Sequence, residues 1–236
     1  MALVVSFAGQ KGGTGKSMLS QAFAVDTQKR GQATLLADLD IAQRTSAEWA
    51  EARAHNGYEP RIKVAVIDPE KYGDFGVRAA GGSCDVLVID APGWSDEKTL
   101  TLAGFSDVMV LPTGASVADL RPTIRLMHEL VGAGIAKDRI VTALCRVQSA
   151  GEIDFARNYL GAAGFSCLKG VLRDMPTYRS LQNEGRCVLE ASGKLKEEAV
   201  AIIGSIRSTL EREQERQQMK PERFVLEPER FQDRGR

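Results

Sequence analysis

Short apolar runs alternate with stretches of helical spacing along most of the chain, and this alternation predicts βα units around a mostly parallel sheet. Leu3-Val4-Val5-Ser6-Phe7-Ala8 forms the first strand, and Leu19, Ala22 and Phe23 mark the inner face of the helix after it. Ala33-Thr34-Leu35-Leu36-Ala37 forms a second strand ending in Asp38-Leu39-Asp40, followed by a helix through residues 46–50 with Ser46 as its N-cap. Residues 62–67 make a third strand and Gly81-Gly82 a turn. Val86-Leu87-Val88-Ile89-Asp90, an unbroken apolar run closed by an acid, belongs at the sheet's centre. Strands at 107–111 and 140–144 are separated by a helix over 122–131. A helix over 152–160, a short strand near 168–172 and a turn at Asp174-Met175-Pro176 lead to a last long helix. Its inner face is marked by Leu195, Val200, Ile203, Ile206 and Leu210. The predicted fold class is α/β, a doubly wound, mostly parallel sheet with helices on both faces, in a single domain over residues 1–213.

Beyond Glu211 the pattern stops and the chain turns almost wholly polar. Pro221-Glu222-Arg223-Phe224 recurs seven residues later as Pro228-Glu229-Arg230-Phe231. Residues 214–236 read as a solvated, disordered tail, with a docking peptide for a partner as the alternative.

Composition narrows the classes. With 43% hydrophobic and 26% charged residues in 236, the chain is that of an ordinary globular protein. No apolar run approaches the ~20 residues of a membrane span, and the N-terminus enters a strand without a basic leader, so a cytoplasmic location is expected. Cys84, Cys145, Cys167 and Cys187 form no C-x-x-C pair, which speaks against zinc, iron–sulfur and disulfide frameworks and favours buried thiols. Lys+Arg and Asp+Glu are both 31, so any nucleic-acid contact needs a local patch.

The candidate chemistry sits directly after the first strand, in Gln10-Lys11-Gly12-Gly13-Thr14-Gly15-Lys16-Ser17. A strand, a glycine-rich turn and a helix N-terminus together make a phosphate cradle, because unpaired N–H groups and the positive end of the helix dipole face the turn. Gly12, Gly13 and Gly15 allow positive φ and close approach. Lys16 reaches terminal phosphates, and the Ser17 hydroxyl suits Mg²⁺. The general pattern wants glycine where Gln10 stands, and Lys11 adds a second lysine inside the loop. Acids at strand ends complete a hydrolytic site: Asp90 as a metal ligand, and Asp38 and Asp40, spaced by two so that one faces the site while the other supports it.

Lys11-Gly12-Gly13-Thr14-Gly15-Lys16-Ser17, Asp38-Leu39-Asp40 and Ile89-Asp90-Ala91-Pro92-Gly93 resemble the deviant Walker A, A′ and Walker B motifs of the ParA/MinD family of ATPases. The likeness covers roughly the first two thirds of the chain. It implies ATP and Mg²⁺ as cofactors and a homodimer formed on ATP binding, with Lys11 acting in trans on the partner's phosphates and Lys16 in cis. Ser17, Asp38 and Asp90 then serve the metal, and Asp40 orients the hydrolytic water. Gly12, Gly13, Thr14, Gly15, Lys16, Ser17 and Met18 contact the nucleotide, with Pro112 and Arg146 near its base. Pro92-Gly93 suits a mobile segment that senses the terminal phosphate. One departure is Ile41-Ala42-Gln43 after the A′ acid, where many partition members have Pro-Gln.

Within the family, the resemblance is to small partition ATPases that begin at the first strand, without a helix-turn-helix extension. It implies non-specific DNA binding through basic residues of the C-terminal third, here Arg173, Arg179, Arg186, Lys194 and Lys196, in a nucleoid-associated protein. A cargo-bound adaptor protein would stimulate hydrolysis. The alternatives are a VirC-type recruitment ATPase of conjugative transfer, for which the repeated Pro-Glu-Arg-Phe is a docking site, and a MinD-like membrane-positioning ATPase. The polar, proline-bearing tail makes a poor amphipathic membrane helix, so no stable membrane insertion is expected. Metabolic amidoligases share the cradle, but their substrate domains exceed a chain this short.

Overall fold

The computed structural model describes residues 2–70, 82, 84–94 and 96–219. Gly81 of the expected turn and both Pro-Glu-Arg-Phe tetrapeptides lie outside the described residues.

Seven strands form one sheet: β1 (Leu3–Phe7), β2 (Thr34–Asp38), β3 (Lys63–Val66), β4 (Val86–Asp90), β5 (Val108–Thr113), β6 (Ile140–Val147) and β7 (Leu172–Arg173). Their order is β3-β2-β4-β1-β5-β6-β7, and the paired strands run parallel. The expected doubly wound sheet is therefore present. The order changes direction at β1, so the crevice beyond its C-terminal end is where such sheets bind ligands. The helices are α1 (Lys16–Lys29), α2 (Thr45–His55), α3 (Asp96–Phe105), α4 (Val117–Gly132), α5 (Ala150–Ala162), α6 (Pro176–Asn183) and α7 (Gly193–Met219).

Alternation along the central strands divides the core between two faces. Val86 and Val88 of β4 face one side with Phe7, Phe23, Tyr178 and Ile206, under α1, α6 and α7. Leu87 and Ile89 face the other with Leu102, Leu126 and Leu160, under α3, α4 and α5. A strand buried on both faces has no polar alternation, hence the unbroken apolar run of β4.

Several boundaries differ from the sequence expectation for local reasons. Helix α4 begins five residues before Pro122, because Ser116 caps it by accepting from the Asp119 N–H. Helix α2 starts at Thr45, so Ser46 lies within it and is not the N-cap. The cap position is Arg44, at φ 48°, and the orphan N–H groups of Ser46 and Ala47 donate to the Asp38 carboxylate at 2.9 and 3.1 Å. Pro176 opens helix α6 at a position where a missing N–H does no harm, so the expected turn is a helix start. Helix α7 buries Ala199, Ile202, Ile203, Ile206 and Leu210, whereas Val200, assigned to that face, is 50% exposed. The helix continues to Met219, past the tail boundary drawn at residue 214, and its end is tied down where Gln217 Nε2 donates to Asp107 Oδ1 at 2.6 Å.

Candidate functional site

The loop between β1 and α1 opens onto a cleft of about 540 Å³ at the C-terminal ends of the strands. Gly13 and Gly15 hold φ of 69° and 100°, the left-handed region that side chains resist, while Gly12 does not need it. A side chain on Gly15 would also press on the Cys145 sulfur at 3.2 Å. Helix α1 has no side-chain cap, so its first N–H groups remain available to a ligand in the cleft. Gly12, Gly13, Gly15, Lys16, Ser17 and Met18 all line it.

The two lysines of the loop go to different places. Lys16 is buried, and its Nζ donates to the Lys11 carbonyl at 2.7 Å across the loop. Burial lowers its pKa, against the pull of the Asp90 and Asp40 charges. Lys11 turns away from the cleft into a small neighbouring cavity, where Thr14 and Pro112 also lie. Its Nζ donates to the Ala118 carbonyl at 2.6 Å and to Asp119 Oδ1 at 2.8 Å. Pro122 explains the first contact: the residue four positions after Ala118 has no N–H, so that carbonyl lacks its helical donor and accepts the ammonium. The Lys11 bonds and the Ser116 hydroxyl hold the Asp119 carboxyl below the usual carboxylate range.

The three acids lie in different surroundings. Asp40 lines the cleft, and its Oδ1 accepts from the Gln43 N–H at 3.0 Å. Asp38 is fully buried and both of its oxygens accept backbone N–H groups, from Asp40 on one side and from Ser46 and Ala47 on the other. It caps α2, and backbone N–H groups engage both of its oxygens. Asp90 is also buried. Its Oδ2 accepts from the Ser46 hydroxyl at 2.7 Å, while Oδ1 has no hydrogen-bond partner. Asp90 and Ser17 both line the cleft, and an orphaned carboxylate oxygen there fits a hard cation that takes one or two protein oxygens and completes its shell with phosphate and water.

Burial pushes the Asp90 carboxyl up to about 7, against the nearby Ser46 and Ser17 hydroxyls. Unfolded, the group ionises near ~3.9. The folded state therefore favours the neutral acid: stability is fully present below the unfolded value and is lost as pH rises through about 7. In EDTA, Asp90→Asn is expected to gain on the native protein in urea unfolding as pH rises from about 5 to about 8. A stability difference independent of pH would show that Asp90 ionises like an exposed acid.

The remaining candidates are spread around the rim. Arg146 lines the cleft from a bulge where the β6–β7 register shifts, with φ at 57°. Pro112, paired with Arg146 in the sequence expectation, instead lies in β5 on the Lys11 side. Arg173 also lines the cleft, but its guanidinium is held bidentately by Glu198, with Nε and Nη2 2.9–3.1 Å from the carboxylate oxygens. Arg186 donates to the Glu190 carbonyl at 2.7 Å. Both therefore carry internal bonds. Arg179 lines the cleft, and Lys194 and Lys196 are exposed at the start of α7. The sequence expectation did not include Met175, at the cap of α6, or Tyr178 and Gln182 within that helix, which line the same cleft. Pro176 was their one signal. Gly93 packs so tightly on the cradle that a Cβ there would sit 2.9 Å from the Gln10 carbonyl, which puts the loop after β4 in contact with the phosphate loop.

A profile of the CobQ/CobB/MinD/ParA nucleotide-binding domain matches residues 5–228. The search of curated proteins returned no match. Among solved structures, the septum site-determining protein MinD of Pyrococcus horikoshii OT3, complexed with Mg-ADP, superposes with a TM-score of 0.70 at 17% identity, over 90% of this chain and 99% of that one. A putative plasmid partition protein of Borrelia burgdorferi B31 bound to AMPPNP gives 0.68 at 14% identity, over 88% and 99%. Cobyrinic acid a,c-diamide synthase of Mycobacterium smegmatis with ADP and magnesium gives 0.62 at 13% identity, over 89% and 94%. At such identities the likeness shows the fold alone.

Proposed function

The chain belongs to the CobQ/CobB/MinD/ParA nucleotide-binding family, and on that premise we propose that it is a Mg²⁺-dependent ATPase that dimerises on ATP and associates with DNA without sequence preference, as in plasmid or chromosome partition. The observation that carries this reading is the separation of the two lysines. Lys16 lines the cleft, while Lys11 lies outside it on a partly exposed contact with Asp119, at side-chain exposures of 42% and 30%. An ammonium so placed serves a phosphate that arrives with a second chain better than one in its own cleft. Hydrolysis is then coupled to dimerisation, because charge on the transferring phosphoryl group is stabilised only when the second cation is present.

The residues suited to the rest of the chemistry are few. The α1 N-terminus and Lys16 hold the phosphates, Ser17 and Asp90 Oδ1 hold Mg²⁺, and Asp40 on the rim orients the attacking water. Mg²⁺ held there would supply charge neutralisation. Among the described residues no helix is long and apolar enough to cross a membrane. Lys194 and Lys196, with Arg179, make the DNA surface in this reading, and an adaptor on the cargo stimulates turnover.

A gel shift on arbitrary duplex DNA tests the DNA-binding half. Binding is expected only with ATP and Mg²⁺, weakening steeply with salt as counterions are released. No shift at low salt in the ATP state overturns it. Sedimentation with anionic vesicles in place of DNA is the result that a membrane-positioning ATPase would give instead.

A further inference from the structure

Ser46 lies outside the phosphate loop, yet its hydroxyl joins α1, α2 and β4. Its Oγ donates to Asp90 Oδ2 at 2.7 Å and accepts from Gln21 Nε2 at 3.3 Å. Gln21 Oε1 accepts in turn from Gln182 Nε2 at 3.0 Å. Ser46 and Gln21 are buried, and Gln182 lines the cleft from α6. The donors all point the same way, from the cleft wall through Gln21 and Ser46 to the acid.

Only this polarity serves Asp90. A hydroxyl has a single proton, and with the Gln21 amide on its acceptor side that proton goes to the carboxylate. If Gln21 were turned end for end, its oxygen would draw the Ser46 proton, and Asp90, whose Oδ1 already lacks a partner, would lose the one at Oδ2. Gln182 continues the same direction by donating to Gln21. Hydrogen bonds aligned in one direction inside a low-dielectric core also strengthen one another.

We propose that Ser46 is a positioning residue, the last link of a one-way relay from Gln182 through Gln21 that ties back Asp90 Oδ2 and presents Oδ1 to Mg²⁺. The relay also links metal binding to the seating of α6. This deepens the Mg²⁺-nucleotide reading above and rests on it. Partners that orient a metal ligand typically alter metal affinity by about 10–100-fold when removed.

The test is binding of fluorescent N-methylanthraniloyl-ADP to the full chain, in EDTA and across a Mg²⁺ titration, for the native protein, Ser46→Ala and Gln182→Met. Ser46→Ala is expected to raise the Mg²⁺ half-saturation by about tenfold and leave metal-free nucleotide affinity unchanged. Gln182→Met shifts it the same way by less. The metal-free arm separates the relay from direct contact between Gln182 and nucleotide. A native Mg²⁺ half-saturation in folded Ser46→Ala overturns the relay. If circular dichroism shows that Ser46→Ala does not fold, Gln182→Met decides by the same criterion. Failure of the native protein to bind nucleotide, or indifference of that binding to Mg²⁺, overturns the Mg²⁺-nucleotide reading itself and is seen before any variant is compared.

Discussion

Lys11→Ala is expected to leave nucleotide binding by the single chain intact, to abolish ATP-driven dimerisation in sedimentation velocity, and to lower phosphate release by about 10²–10³-fold. The first half follows from position: Lys11 lies outside the cleft that Lys16, Ser17 and Met18 line. The second follows from what holds it there. The Lys11–Asp119 pair is partly exposed on both sides, and such pairs contribute at most about 1 kcal/mol. A partner's phosphates, carrying several negative charges in a closing interface, outcompete a single screened carboxylate. Asp119→Ala therefore releases the lysine without removing it, and dimerisation on ATP persists in that variant. Its stability falls only by the lost contact and part of the α4 cap, about 1 kcal/mol. A Lys11→Ala protein that dimerises and turns over like the native one would end the trans-lysine mechanism.

The largest expected effect on stability lies far from the phosphates, at Gly185. Its φ is +77°, and a Cβ there would sit 2.1 Å from the Arg53 backbone nitrogen and 2.4 Å from its Cα. Backbone atoms in the last turn of α2 cannot yield as a side-chain tip would. Around that contact the Arg53 guanidinium, fully buried, donates to the Glu59, Pro60 and Gly185 carbonyls and bidentately to Glu190, and stacks over Trp49. Separating α2 from residues 185–190 strands a buried charge, and breaking such a pair typically costs about 3–5 kcal/mol. Gly185→Ala should accordingly lower the calorimetric Tm by about 10 °C or more. Gly161→Ala is the control. That glycine is inside α5 with nothing within 4 Å of the added methyl, so the Tm should hold or rise. A Gly185→Ala protein as stable as the control would mean that the α2 clamp has slack the structure does not show. The clamp matters for the site as well, since α2 carries Ser46 to Asp90 and receives the Asp38 cap.

What the sequence determined by itself is whatever depends on near neighbours. Strands β1, β2, β4 and β5 fall within a residue or two of their apolar runs, because burial on two faces leaves a mark that can be read from five consecutive side chains. The cradle was legible for the same reason: glycines, a lysine and a serine at set spacing must follow a strand and open a helix. Nothing local tells where Asp38 and Asp40, two positions apart at the end of β2, come to lie in the fold. That was decided by α2, whose orphan N–H groups claim Asp38. Pairs far apart in the chain were equally out of reach. Lys11 meets Asp119 across 108 positions, Arg53 meets Glu190 across 137, and Gln182 meets Gln21 across 161. The acceptors of Arg173 and Arg186 likewise came only with folding. Periodicity and propensity act along the chain and can be read there. Which buried donor meets which buried acceptor is settled only when packed elements leave each polar group a single partner within reach.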